Sequence, residues 1–251
     1  MIRTDAASLE ALWRELGVQR GDVVLCHSHL PALGRLIPRP ETVVEALLAV
    51  LGPAGTLVAP TFTYSWFRGE PYDVRRSPGT VGVLGELVRA HPDAVRSLDP
   101  CFSNAAIGAR AAELLRRDGP ASFGAGSFYD KLLRAGGKVL LIGVDFTALP
   151  IFMHLEKVHG ARYRHDKRFR GEIVDASGER YEAEMIHYVR DAVMQPQTDR
   201  SRISAALDAL PACRRVRFAY GEHRLIPAAA IEAEVARRLA HEPNFLIKQP
   251  A

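Results

Sequence analysis

Apolar residues along the first two thirds of the chain fall into two alternating kinds of segment. Short continuous runs, such as Val23-Val24-Leu25-Cys26 and Val139-Leu140-Leu141-Ile142, are bounded by Gly or Asp and predict buried strands. Between such runs, apolar residues recur at helical spacing: Leu9, Leu12, Trp13 and Leu16 form one stripe, with Ser8 as cap and Gly17 as stop. The same reading predicts strands over 22–27, 55–60 and 138–144, and helices over 8–16, 40–51, 82–90, 105–117 and 126–134. Near-continuous apolar strands alternating with amphipathic helices predict an α/β fold, with a mainly parallel central sheet covered by helices on both faces.

From residue 169 the pattern changes. Residues 169–181 read as a hairpin turning at Ser177-Gly178. A helix carrying Ala205, Ala206 and Leu210 follows, then a strand over 215–219 and a closing helix over 228–239. The expected organisation is a core over 1–168 and a smaller α+β C-terminal portion over 169–251, packed on the core as one compact unit.

Composition narrows the function. With 251 residues and 47% hydrophobic content, the chain is long enough to bury a sizeable core. The net charge of +4 is scattered, with no block of five like charges, which argues against a nucleic-acid partner. Apolar runs such as 43–51 are too short to span a bilayer, so no membrane partner is expected. The first residues lack the apolar core of a secretory signal, and Cys26, Cys101 and Cys213 show no metal-ligand spacing. A reduced, cytoplasmic chain without disulfides or metal is the expectation. The Gly124-Ala-Gly-Ser-Phe segment matches neither a dinucleotide fingerprint nor a Walker loop.

Candidate chemistry gathers where strands end: Cys26-His27-Ser28-His29, Pro60-Thr61-Phe62-Thr63, Asp99 to Ser103, and the segment 143–164 with His154 and Glu156. Ligands of α/β sheets sit beyond the carboxyl ends of strands, although single Ser and Thr residues also cap turns. His154 and Glu156 are two apart, which on a helix turns them about 200° from each other; serving one cleft together requires a strand or a distorted turn. Cys26 and Cys101 sit beside apolar runs, where cysteine is more often a small buried hydrophobe than a nucleophile. The basic group around His159, Arg162, Arg164, His165, Lys167 and Arg168 is a solvated face or a phosphate clamp.

In order, Gly21-Asp-Val-Val-Leu-Cys-His-Ser-His-Leu, Pro60-Thr-Phe-Thr, Arg76-Ser-Pro-Gly-Thr-Val-Gly, Asp99-Pro-Cys-Phe-Ser and Phe123-Gly-Ala-Gly-Ser-Phe-Tyr-Asp resemble the aminoglycoside 3-N-acetyltransferase family, over roughly residues 7–244. The resemblance implies acyl transfer from acetyl-CoA or another acyl-CoA, without metal, to a small-molecule amine such as an aminoglycoside or amino sugar. It implies that Ser28, Leu30, Thr61, Phe62 and Thr63 line the CoA channel, with Ser103 near the thioester. The family pattern NTxxHxxE places Met153 at the histidine, Pro150 at the threonine and Glu156 at the glutamate, and Asp99 replaces the histidine of HPxxS. Methionine cannot accept a proton. The expectation is therefore His154 as general base with Glu156 as its orienter, and His29 as the alternate. Two other readings stay open: a re-tasked enzyme using Cys101 or Asp99, and a non-catalytic protein that binds CoA or an amine.

Overall fold

The computed structural model describes residues 1–248. Its strands are β1 (Arg3–Thr4), β2 (Val23–Ser28), β3 (Arg35–Leu36), β4 (Thr56–Pro60), β5 (Tyr72–Asp73), β6 (Val95–Arg96), β7 (Asn104–Gly108), β8 (Lys138–Ile142), β9 (Arg164–Val174), β10 (Arg180–Arg190), β11 (Arg214–Phe218) and β12 (Gly221–Pro227). Its helices are α1 (Ala6–Leu16), α2 (Thr42–Leu51), α3 (Val83–Arg89), α4 (Ala111–Leu115), α5 (Phe128–Arg134), α6 (Ile151–Val158), α7 (Ser201–Asp208) and α8 (Ala228–His241).

The main sheet has seven strands in the order β11-β12-β8-β2-β4-β7-β6. Successive side chains of a strand point to opposite faces, so each central strand feeds two cores. Leu25, Val58, Val139 and Leu141 pack with α4 to α8, while Val24, Leu57, Leu140 and Ile142 pack with α1 to α3. The apolar side chains of β8 are fully buried, each contributing about 1.5–3 kcal/mol. The α/β class and the two covered faces agree with the sequence reading.

The sheet is mixed rather than mainly parallel. Only β8, β2 and β4 run parallel; β12, β7, β6 and β11 pair antiparallel. One cause lies in residues 105–117, expected as a helix. Ala105 and Ile107 face one core and Ala106 the other, so the segment opens as strand β7. Alanine favours helix by local propensity, but burial on both faces overrides it. Gly108, at φ +124, ends the strand in a conformation suited to glycine.

The hairpin is longer than expected: β9 and β10 pair from Arg180↔Val174 to Arg190↔Arg164 and join β5 in a separate three-stranded sheet. Residues 164–168 are polar on both faces, so no alternation marked them as strand. Strand β9 crosses the expected division at 168, and β12 pairs with β8, so the C-terminal portion completes the main sheet. Among the described residues no helix is long and apolar enough to cross a membrane.

Candidate active site

Segment 143–164 leaves β8 through Gly143, at φ +63, where a Cβ would collide with Ala32. Asp145 caps a short 3-10 turn by accepting from the Thr147 N–H. Pro150 then opens α6; its fixed φ suits the helix start. Ile151, Phe152 and Leu155 face the core, and helical geometry gives the other faces to His154 on one side and to Met153 and Glu156 on another. Residues 153 and 156, three apart, are neighbours on the helix surface.

Met153 faces a cavity of about 640 Å³ between α6 and β10, the edge strand of the three-stranded sheet. Arg164, His187, Arg190, Arg200 and the rings of Phe67 and Phe102 line it as well. His187 is buried among Phe67, Phe102 and Phe169, with ring centroids 5.1, 5.5 and 5.5 Å away. Its Nδ1 lies 3.1 Å from Ser122 Oγ, and its Nε2 is buried without a hydrogen-bond partner. Burial depresses its pKa, against an upward pull from Asp99, so the imidazole is neutral at physiological pH.

Glu156 is fully buried beside the cavity. Its Oε1 accepts from the Tyr163 hydroxyl at 3.0 Å, and its Oε2 lies 2.7 Å from Arg164 Nε. The Arg164 contact is close but poorly aligned, since both atoms lack a geometrically sound hydrogen bond. Burial pushes the carboxyl up, and the Arg164 and Arg200 guanidiniums oppose that shift. Arg200 is anchored by donating to the Leu149 carbonyl at 2.9 Å and by lying over the Phe152 ring.

A profile of the aminoglycoside 3-N-acetyltransferase family matches residues 25–240. The chain belongs to this family. Aminoglycoside N(3)-acetyltransferase VII of Streptomyces paromomycinus is 35% identical over 170 residues, 58% of this chain and 58% of that protein. The chain thus matches less than two thirds of that relative's length. Among solved structures, AAC-IIIb in its binary complex with CoASH has a TM-score of 0.85 at 25% identity, covering 100% of both chains. A mutant of AAC(3)-IVa in complex with a gentamicin has a TM-score of 0.83 at 25% identity, covering 100% of this chain and 93% of that one.

On α6, Met153 and Glu156 lie three residues apart on one face, whereas His154 points away. His154 is 2% exposed, accepts from the Gly124 N–H through Nδ1 at 3.1 Å, and lies 3.4 Å from Ser127 Oγ. Burial pulls its pKa down to about 4. It does not line the Met153 cavity, and the partners of Glu156 are Tyr163 and Arg164 rather than His154. The expected base and orienter are therefore not brought together. His29 is exposed on a different cavity of about 770 Å³, at the carboxyl ends of β2 and β8, with Asp145, Tyr220 and Arg224.

Of the residues expected along the CoA channel, Ser28 is half-buried beside His29 and Leu30 is buried. Thr61, Thr63 and Ser103 are fully buried, with their hydroxyls engaged. The Arg96 guanidinium donates to the Thr61 carbonyl at 2.7 Å and to Ser103 Oγ at 3.2 Å, and Ser103 Oγ donates to the Thr61 carbonyl at 2.7 Å. Phe62 packs edge-on against Phe102, which does line the Met153 cavity. This loop therefore stands behind the cavity wall. Cys101 is buried, and burial raises its thiol pKa, the opposite of an activated nucleophile. The Asp99 carboxylate accepts from the N–H groups of Cys101 and Phe102.

Sequence reasoning missed His187, Arg164 and Arg200 as a set. Arg164 stood in the noted basic cluster, but His187 sits in a strand whose alternation gives no chemical signal. Only the packing of β10 against α6 shows that they meet.

Proposed function

We propose that the chain is an acyl-CoA-dependent N-acyltransferase in which His187 supplies the base at the Met153 cavity. One observation carries the choice of residue: among the side chains lining that cavity, only His187 has a nitrogen that is neutral at physiological pH and can accept a proton. The cavity's size is in the range of small-molecule sites, which supports room for an amine beside a thioester.

Acyl-CoA supplies an activated acyl group, whose C–S bond breaks as the new C–N bond forms. In the tautomer whose Nδ1–H donates to Ser122 Oγ, His187 Nε2 holds a free lone pair at the cavity. There it takes the proton from the acceptor's ammonium and leaves the nitrogen nucleophilic. The rings of Phe67, Phe102 and Phe169 exclude water and keep the imidazole neutral. Arg164, pinned by Glu156 and by donating to the Tyr188 carbonyl at 3.2 Å, adds fixed positive charge to the cavity wall.

Thiol release from acetyl-CoA against a panel of amines tests the reading, with calorimetry for CoA binding. Turnover that falls about 10²–10⁴-fold in His187→Gln, with His154→Gln and His29→Gln close to wild type, is the expected result. No turnover on any amine together with no CoA binding removes it. A collapse in His154→Gln but not in His187→Gln returns the base to α6.

A further inference from the structure

Among the described residues, three guanidiniums and no carboxylate line the Met153 cavity: Arg164, Arg190 and Arg200. The carboxylate of Glu156 lies beside Arg164, fully buried, so the surroundings keep an excess of positive charge. Arg164 and Arg190 sit directly opposite each other across β9 and β10, a placement of like charges that destabilises a strand pair. The acid next to Arg190 turns away from it: Asp191 Oδ1 accepts from the Val193 and Met194 N–H groups of its own turn, and its Oδ2 lies 3.9 Å from His165 Nδ1. Within the same wall, Arg200 Nε is buried without a hydrogen-bond partner, and Arg164, only 6% exposed, has its Nε in a poorly aligned ion pair 2.7 Å from Glu156 Oε2. Buried donors left without acceptors are costly. An anion with two or more oxygens would offset the facing charges and offer the Arg200 donor an acceptor.

We infer that the acceptor amine carries an acidic group, a phosphate or carboxylate, held by Arg164 and Arg190 with Arg200 beside them. This deepens the N-acyltransferase reading and rests on it. A polycationic aminoglycoside would bring several ammonium groups towards three guanidiniums, so it is a poor acceptor here. CoA also carries phosphates, but its pantetheine arm keeps them well away from the thioester carbon. An anion bound beside Met153 and His187, where the amine reacts, therefore belongs to the acceptor.

Matched acceptors that differ in the acidic group test this: glucosamine against glucosamine 6-phosphate, and glycine against glycinamide, with gentamicin as the polycation. Where the acidic member turns over, its kcat/KM is expected to exceed that of its partner by about 10- to 100-fold, the range of one charge-assisted hydrogen bond. Added salt shrinks the preference. Arg190→Met erases it while the KM for acetyl-CoA stays within about 2-fold. Equal or better turnover of gentamicin, glucosamine or glycinamide overturns the inference and leaves N-acyl transfer standing. A rise in the KM for acetyl-CoA alone in Arg190→Met also overturns it, by assigning the guanidinium to CoA. If no amine turns over, calorimetry with inorganic phosphate decides: Arg190-dependent binding supports the anion site although the transferase reading fails, and no binding removes it.

Discussion

Replacing Glu156 with glutamine removes one negative charge from between two guanidiniums and keeps the side chain's shape. The carboxylate is fully buried, 2.7 Å from Arg164 Nε and 3.0 Å from the Tyr163 hydroxyl. In glutamine one of those oxygens becomes an NH₂ donor. Tyr163 can rotate its O–H away from it, but a guanidinium presents only donors, so the amide oxygen must turn to Arg164 and the charge there stays uncompensated. Breaking a buried pair from one side costs about 3–5 kcal/mol, against a total stability of about 5–15 kcal/mol for a domain. For a chain of this size that lowers Tm by roughly 6–20 °C. Urea unfolding followed by circular dichroism measures it. Because burial pushes the carboxyl up, the folded state binds the extra proton, so wild type gains on Glu156→Gln as pH falls through the carboxyl's raised range and the gap widens there. The double variant Glu156→Gln, Arg164→Met, which removes both charges, is expected to recover part of the loss. A loss under about 1 kcal/mol at pH 7, or no recovery in the double variant, would refute the view that Glu156 holds Arg164 at the cavity through its charge.

Three further outcomes follow from buried groups elsewhere. Arg96 donates to the Thr61 and Ser77 carbonyls and to Ser103 Oγ, so Arg96→Met, which leaves those acceptors buried, costs about 3 kcal/mol or more in denaturant unfolding. His154 has its folded pKa lowered from 6.5 to about 4. The unfolded chain therefore binds more protons, and His154's contribution, full above about pH 6.5, falls away as pH drops towards 4, by about 3 kcal/mol in all. His154→Gln should flatten that limb of the stability–pH curve. Cys101 is buried with its thiol pKa raised, so iodoacetamide labels it in native protein only after unfolding, as mass spectrometry of timed samples would show. Rapid native labelling accompanied by loss of turnover would revive Cys101 as a nucleophile.

The sequence by itself determined the elements whose apolar pattern is strong, namely β2, β4, β8, α1 and α2, and with them an α/β core covered on two faces. It also made the family resemblance legible, because motif order needs no tertiary information, and the family profile matches residues 25–240. Burial outweighs local propensity at Ala105 to Ile107, and that is visible only once β7 lies beside β4. Residues 164–168 carry no alternation, so only pairing with β10 makes them a strand. The proposed base was equally hidden, since His154 and His187 look alike as letters. Helical geometry turns His154 into the core beside Gly124, and an edge strand over thirty residues downstream brings His187 to the cavity of Met153. Which side chains share a cavity depends on contacts between elements distant in the chain, and such contacts leave no period for a sequence to display.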